Sequence, residues 1–452
     1  MAQNKRGLPD VKFRTKDNNL KNPTVESDQE VSGLIFDIST QPNLFKKGYG
    51  KDNIRNIKAG DIISIRNVDD LEDFGIIPYT TPEEGKQPED VNFMYGVPYY
   101  HIAEFYRGRQ GQDCLLYIMF ADCSKDFNAV SIIQNATGGI AYQIGIYTEQ
   151  ALFSKEGTED GTYALRLVES LETKARELEE DHAPAVILLQ ANPSVGDAET
   201  ADTLKVDIDK IPNAVKKERS RVSIILGQAN HSSIAEMQKA NPKSVPVGAL
   251  GIALGFTSIA NVCYSIGWVA AFNMFGERFQ RVEFGFGDLN KDTDGEFIST
   301  NRFESFVRRS VLDTLADKGY IFPIKYAGKP DGIHFNGDSS LSSGDFDSIS
   351  NNRTIFKTER LVRLALLPFL NGSVTVSNVD GTLTAVSIAD YTNAINRALD
   401  PMIGTDISGK KVVIDPKQKI LENDVLYISY SILPRGKSKY IDVTNAYSTN
   451  TK

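Results

Sequence analysis

Short apolar runs alternate with amphipathic segments through the first half of the chain. In residues 162–181 the apolar positions recur at spacings of four and three, as on one face of a helix; they are Ala164, Val168, Leu171, Ala175 and Leu178. Because short apolar runs separated by helical segments are typical of a parallel sheet, the pattern predicts an α/β fold. The predicted strands are residues 31–38, 61–68, 114–121, 140–147, 183–190 and 222–227, and the predicted helices are 99–107, 127–137, 162–181 and 204–217.

The last third of the chain has a more mixed, α+β pattern. A capping box, Ser387-x-x-Asp390, predicts the start of one helix there. The other predicted elements are strands at 281–286, 320–326, 411–414 and 425–433, helices at 302–318 and 352–367, and a loop at 328–349.

These patterns divide the chain into four predicted parts. Residues 1–30 are polar and interrupted by Gly, Pro and Asn, which indicates an extended N-terminal arm. We expect an α/β body at residues 31–276, a C-terminal domain at 277–434, and a C-terminal arm at 435–452.

The charge is distributed unevenly between these parts. The 452 residues carry a net charge of −9, yet both ends are basic. Such ends are attracted to the acidic body of neighbouring copies or are simply solvated, and charge alone leaves both readings open. An acidic chain is poorly suited to wrapping nucleic acid, so we expect no direct nucleic-acid partner.

Cysteine and histidine are too sparse to suggest a disulfide framework or a zinc site. The three cysteines, Cys114, Cys123 and Cys263, form no CxxC pair, and there are four scattered histidines. Residues 1–13 lack the apolar stretch of a secretory signal, so we expect the chain to fold in the cytoplasm.

Two motifs resemble ligand loops but fail on inspection. Residues 404–411, GTDISGKK, lack the Ser or Thr that ends a phosphate loop, and a predicted helix precedes them where a strand is required. A calcium loop that places Gly295 sixth would begin at Asn290 and end at Asn301 instead of Glu. We therefore predict no cofactor and no metal.

The uncharged run at residues 244–276 has two possible readings. It is long enough to span a bilayer and holds Gly251 and Gly255 in a GxxxG pair. Its polar residues and the lack of flanking Lys or Arg clusters favour burial in a globular core. A membrane-associated protein stays an alternative, as does a soluble α/β enzyme of unknown chemistry, although no GxSxG elbow or Cys/His pair at a familiar spacing identifies catalytic residues.

The C-terminal segments resemble the contractile phage tail sheath family. The similar stretches are 352–360 (NRTIFKTER), 412–416 (VVIDP) and 426–443, where a strand leads through a Pro-x-Gly-like turn into an Ile-x-Val arm. Residues 65–75 (IRNVDDLEDFG) and 245–255 (VPVGALGIALG) are similar to upstream elements of the family, and residues 7–11 (GLPDV) are loosely similar to its opening arm. The chain is identified as a divergent member, from a phage, a prophage or a related contractile injection system.

The resemblance implies a sheath-type C-terminal domain and a structural, non-enzymatic role. Sheath subunits polymerise as stacked rings or a helical tube around an inner tail tube protein, between baseplate and tail terminator proteins, and contract to drive the tube through a cell envelope. It further implies a virion tail location, assembly in the bacterial host cytoplasm, and no membrane insertion.

Two groups of residues follow as candidates. The arms of sheath subunits add strands to neighbouring sheets, which points to Leu8, Val11, Phe13, Pro434, Gly436, Tyr440, Ile441 and Val443. Arg435, Lys437 and Lys439 would keep the free arm soluble and could pair with the acidic body. A basic cluster in the 352–367 helix is either a face toward the inner tube or a solvated helix face; its members are Arg353, Lys357, Arg360 and Arg363.

Overall fold

The computed structural model describes most of the chain in eleven stretches. They are residues 29–40, 57–79, 93–155, 163–195, 211–216, 218–227, 229, 247–279, 309–329, 332–418 and 420–447. The predicted strand at 281–286, the calcium-like loop and the N-terminal candidates Leu8, Val11 and Phe13 lie outside these residues.

An eight-stranded sheet forms the centre of the fold. Its strands are β1 (Ser32–Asp37), β2 (Ile62–Ile65), β3 (Leu116–Ala121), β4 (Gln143–Lys155), β5 (Tyr163–Leu165), β6 (Val186–Val195), β7 (Val222–Ile225) and β8 (Tyr320–Ile321). The order is β2-β3-β1-β4-β6-β7-β8, with β5 paired to the end of β4. All pairs are parallel except those made by β2 and β5. The predicted α/β class and its parallel-rich sheet are confirmed.

Helices cover both faces of this sheet. A Cβ at Gly33 of β1 would meet Ile133 of α2 (Asn128–Ala136), while one at Gly145 of β4 would meet Leu254 of α4 (Leu250–Ile259). Gly145 is paired with Leu34, the residue after Gly33, and successive strand residues point to opposite faces. Therefore α2 and α4 pack on opposite sides. The remaining body helices are α1 (Phe93–Gly108), α3 (Val168–Glu180) and α5 (Arg309–Asp317).

The uncharged run supplies a buried helix. All ten residues of α4 are buried. Added Cβ atoms at Gly251 and Gly255 would lie 2.1 Å from the His101 carbonyl oxygen and 2.3 Å from that of Phe105, both in α1. The GxxxG pair thus permits two helices to touch through their backbones. Within the described residues, no helix is long and apolar enough to cross a membrane.

The last third adds a second, smaller core. The elements of this third of the chain are β9 (Pro323–Lys325), β10 (Ile333–Phe335), α6 (Ile349–Leu366), α7 (Ala385–Leu399), β11 (Ile407–Ile414), α8 (Ile420–Asn423) and β12 (Ile428–Pro434). Ile349 and Phe356 of α6 belong to the large core, whereas Val362 belongs to the small one. The division between the two cores therefore falls within α6, and β8 and β10 pack into the large core.

Several predicted elements differ from the structure for local reasons. Residues 211–216 of the predicted 204–217 helix are not helical. Helix α3 begins only at Val168, because Ala164 pairs in β5. The predicted strand at 320–326 is split at Phe322, and β10 lies in the predicted loop. The N-cap of α7 is Thr384, whose side chain accepts from the Ser387 amide, so Ser387 is not the cap that the capping box predicted.

We expect Gly251→Ala to lower the free energy of unfolding by about 2–3 kcal/mol, because its methyl group would overlap the His101 carbonyl and force α1 and α4 apart. The matched control is Gly337→Ala, since the Cβ position there meets nothing within 4 Å. Urea unfolding of both variants is the measurement, and equal midpoints would contradict the close helix contact.

Candidate assembly surface

The C-terminal arm, residues 435–447, leaves the fold after β12. It forms no helix or strand. Its apolar side chains are directed into solvent: Tyr440 is 81% exposed, Ile441 79% and Val443 74%. No backbone hydrogen bond joins residues 440–447 to another described segment. Pro434 ends β12, and the Cβ position of Gly436 is open, so in this single chain nothing requires a glycine there.

The sheet from which the arm emerges has only two strands. β11 and β12 pair antiparallel, from Ile414↔Ile428 to Ile407↔Pro434. One face, with Val412 and Tyr430, packs on the small core. Among the described residues no further strand pairs with either, apart from an isolated bridge between Ile403 and Ile407. Both outer edges therefore offer backbone donors and acceptors to another chain.

Exposed apolar side chains concentrate around the same small core. Within the described ranges, fifteen of the twenty exposed large hydrophobic side chains lie between Leu364 and Tyr447. Exposed apolar side chains that form a contiguous patch mark an interaction site, so this part of the chain is the candidate. The members outside the arm are Leu364, Leu367, Leu370, Val379, Val386, Ile403, Val413, Leu421, Val425, Tyr427 and Leu433.

The root of the arm, residues 435–437, is fastened by its two basic side chains. Arg435 donates to the carbonyl oxygens of Gly404 (3.1 Å) and Thr405 (2.9 Å). Lys437 donates to Ser348 and lies 3.6 Å from the carboxylate of Asp338. The sequence indicates that these residues are basic, but nothing in it identifies Asp338 as the partner.

The basic cluster of α6 does not form a shared surface, so this part of the prediction is wrong. Arg353 is 1% exposed and donates to the Ala260 carbonyl. Lys357 pairs with Asp406 at 2.7 Å. Arg360 donates to the Gly139 and Pro184 carbonyls and lies over the Tyr142 ring. The cause is orientation: residues 353, 357 and 360 do share one helix face, but it packs against other parts of the chain. Arg363 is the exposed member, and its contact with a tube stays a prediction.

Two carboxylates and three arginines meet where α3, the segment before β7, and α6 come together. Arg219 and Arg221 both pair with Glu179, at 2.8 Å and 2.6 Å. Burial, followed by repulsion from Glu179, raises the pKa of Glu359 to about 7, although Arg219, Arg221 and Arg360 act in the opposite direction. This junction is therefore sensitive to protonation near neutral pH.

Among the described residues, the cysteines and histidines noted in the sequence form no metal-binding cluster. The three cysteines are buried free thiols, and burial raises the pKa of Cys114 to about 12. Burial also lowers the pKa of His101 to about 3. The described residues include no cluster of three potential metal ligands. Residues 404–411 follow α7 and run into β11, so a helix precedes them and a strand follows, the reverse of the order in a phosphate loop.

Comparisons with known proteins extend these observations. Residues 345–452 match the family described as DUF2586, C-terminal domain. No curated protein matches. Two solved structures have the same fold over nearly the whole chain. A chain of the anti-feeding prophage (AFP) baseplate is 11% identical, with a TM-score of 0.51, and the match covers 98% of this chain and 99% of that one. A chain of the PVC sheath complex, an extracellular contractile injection system in the contracted state, is 10% identical, with a TM-score of 0.51 and 98% of both chains covered.

We expect Lys357→Met to lower the free energy of unfolding by about 3 kcal/mol, because it leaves the buried Asp406 carboxylate without its cation. Arg363→Met removes the same charge from an exposed position, so its effect should stay within about 0.5 kcal/mol. Urea unfolding compares the two. Equal losses would show that Lys357 is not a structural residue.

The Glu359→Gln variant should be more stable than the parent chain at pH 8, by about 1–2 kcal/mol, and by less at pH 5. Folding raises the pKa of Glu359 above its ordinary value of 4.5. The protonated side chain therefore contributes its full stabilisation below pH 4.5, and this contribution is lost as the pH rises through about 7. Gln does not ionise, so the variant does not lose stability in this way. Thermal unfolding across this pH range is the measurement, with the exposed Glu180→Gln as control; a gain independent of pH would contradict the assignment.

Proposed function

We propose that this protein is a structural subunit of a contractile injection machine, and more specifically of its sheath. It polymerises through its arms into stacked rings or a helical tube around an inner tail tube, and contracts to drive that tube through a cell envelope. The observation that carries the proposal is the exposed C-terminal arm beside a two-stranded sheet with open edges. The match of the whole fold to chains from an AFP baseplate and a PVC sheath complex supports it.

Strand addition explains the arm chemically. Residues 440–443 are too few to be stable as an isolated strand. Their apolar side chains are 74–81% exposed, which costs solubility unless another chain covers them. Laid along an edge of β11 or β12 in a second copy, the arm would gain backbone hydrogen bonds and bury these side chains together. The acceptor edge and the arm belong to the same chain, so every copy both gives and receives a strand.

Contraction requires no cofactor in this scheme. If sliding of subunits buries about 500 Å² more apolar surface per subunit, this burial contributes roughly 12 kcal/mol of favourable free energy. The cost of ordering the interface opposes it. Repeated along a tube, even a part of this free energy supplies mechanical work. The role is structural and assigns no catalytic residue, no cofactor and no metal.

The proposal also specifies partners and location. The subunit contacts further copies, an inner tail tube protein, and baseplate and tail terminator proteins, and it resides in the tail of a phage-like particle assembled in the bacterial host cytoplasm. The four predicted parts of the chain then have roles: two arms at residues 1–30 and 435–452 join neighbours, and the parts at 31–276 and 277–434 build the wall.

A ring-forming subunit next to the baseplate is the second candidate. The match to the AFP baseplate chain is as extensive as the match to the PVC sheath complex chain, and it favours this alternative specifically. Both candidates use the same arm, and they differ in whether assembly continues beyond one ring.

The direct test is negative-stain microscopy and sedimentation of the purified full-length protein at increasing concentration. Hollow tubes are expected for a sheath subunit, and isolated rings for the baseplate alternative. A protein that stays monomeric at about 100 μM, far above the concentration at which subunits of a stable assembly associate, would overturn both.

Asp442→Pro should raise the critical concentration for assembly by about tenfold or more, because proline removes a backbone donor from the added strand and restricts its conformation. Residue 442 is exposed and outside any helix or strand, so the unfolding midpoint should not change. The control is Asp442→Ala, which removes the same charge and keeps the amide. Equal assembly of the two variants would exclude strand addition by this segment.

A further inference from the structure

The arm root lies in a polar site at the start of α6. The Lys437 ammonium is 2.8 Å from the Ser348 hydroxyl and also hydrogen bonds the Ser350 hydroxyl. Ser348 is the N-cap of α6, where its side chain accepts from the Asn351 amide. The lysine therefore reaches side chains that are already held by the helix start.

A buried carboxylate forms the floor of this site. Asp338 has 9% of its side chain exposed, and it accepts from the amide and the hydroxyl of Ser350. Burial by itself would raise the pKa of Asp338, but Lys437 and the Ser350 hydrogen bonds bring it below its ordinary value. Among the described residues, Lys437 is the one cation within 4 Å of this carboxylate. The pair thus links the C-terminal arm to a residue far from it in the sequence.

The fastening joins the arm to both cores. Asp338 lies between Phe335 and Leu341 of the large core. Arg435, two residues before Lys437, is bound instead to the carbonyls of Gly404 and Thr405, next to Ile407 of the small core. The arm root therefore crosses the junction between the cores and is held on each side of it.

We infer that Lys437 is a positioning residue that fixes where the C-terminal arm leaves the molecule and thereby which neighbouring sheet edge it reaches. This inference rests on the proposed function. Only Ser438 and Lys439 separate Lys437 from Tyr440, so Tyr440 stays within about 10 Å of the fastened residue. Release of Lys437 would move the last fastened residue back to Arg435, lengthen the free segment, and lower the effective concentration of the arm at the acceptor edge.

The test compares two full-length variants, Lys437→Met and Lys439→Met. Replacing Lys439 removes the same charge from the same arm, yet its side chain is exposed and forms no hydrogen bond or ion pair with the described residues. We expect Lys437→Met to raise the critical concentration for assembly by about fivefold or more, and Lys439→Met by less than about twofold. Equal effects of the two substitutions would overturn the inference. Easier assembly of Lys437→Met would also overturn it, because that result is expected if the contact holds the arm back from assembly.

A second measurement follows the arm in the unassembled chain. Spin labels at Tyr440→Cys and Glu169→Cys report the distance from the start of the free arm to α3, and the buried native cysteines should not react. At concentrations below assembly, the distance distribution should be narrow in the parent chain and in Lys439→Met, and broad in Lys437→Met. Identical distributions would show that Lys437 does not position the arm.

Loss of stability is separated from loss of position by Asp338→Asn. Lys437→Met leaves a buried carboxylate without its cation and should lower the melting temperature; combining it with Asp338→Asn should restore most of that loss without restoring assembly. If Asp338→Asn restored both the melting temperature and assembly, Lys437 would have only a structural role. If the parent chain itself does not assemble, the proposed function fails, while the distance measurement still tests the positioning role.

Discussion

Helix α6 is the element on which the rest of the structure depends, because it is shared by two hydrophobic cores. Its first half contributes Ile349 and Phe356 to the large core, and its second half contributes Val362 to the small one. Long polar side chains secure its inward face: Asn352 donates to the Ser220 carbonyl at 3.0 Å, and Arg353 to the Ala260 carbonyl at 3.1 Å. These bonds satisfy loop carbonyls that would otherwise be buried without donors.

The placement of α6 explains why polar and apolar groups are distributed as they are. In the body, the sheet is covered on both faces, so nearly all its large apolar side chains are buried. Among the described residues, the small core is built from two strands, α7 and the second half of α6, and these elements leave many of its apolar side chains exposed. The exposed apolar side chains lie in the same part of the chain as the open sheet edges and the arm. A surface that is incomplete in the isolated chain is what a subunit of an assembly requires.

The basic residues of α6 show that the spacing of charges along a helix does not predict whether they face solvent. Arg353, Lys357 and Arg360 lie on one face of α6, as their spacing indicates, and basic residues on a common face ordinarily meet solvent. Here the face is turned inward, because loop carbonyls and Asp406 supply acceptors for the cations. Periodicity gives the angle of a side chain around its helix, but not what lies opposite. The same limit applies to the GxxxG pair, which permits close helix contact equally in a bilayer and in a core.

The sequence by itself determined the strands of the body and the helices with a clear apolar stripe. The run at 114–121 became β3 and the one at 222–227 became β7, because a strand buried on both faces must be apolar along its whole length. The assignment of Ile441 and Val443 to an arm came from the resemblance to a family, and it stays a prediction. Only the tertiary structure decided where the cores divide, which side of α6 faces inward, and that Lys437 meets Asp338. Those outcomes depend on contacts between residues far apart in the chain, and local periodicity does not predict such contacts.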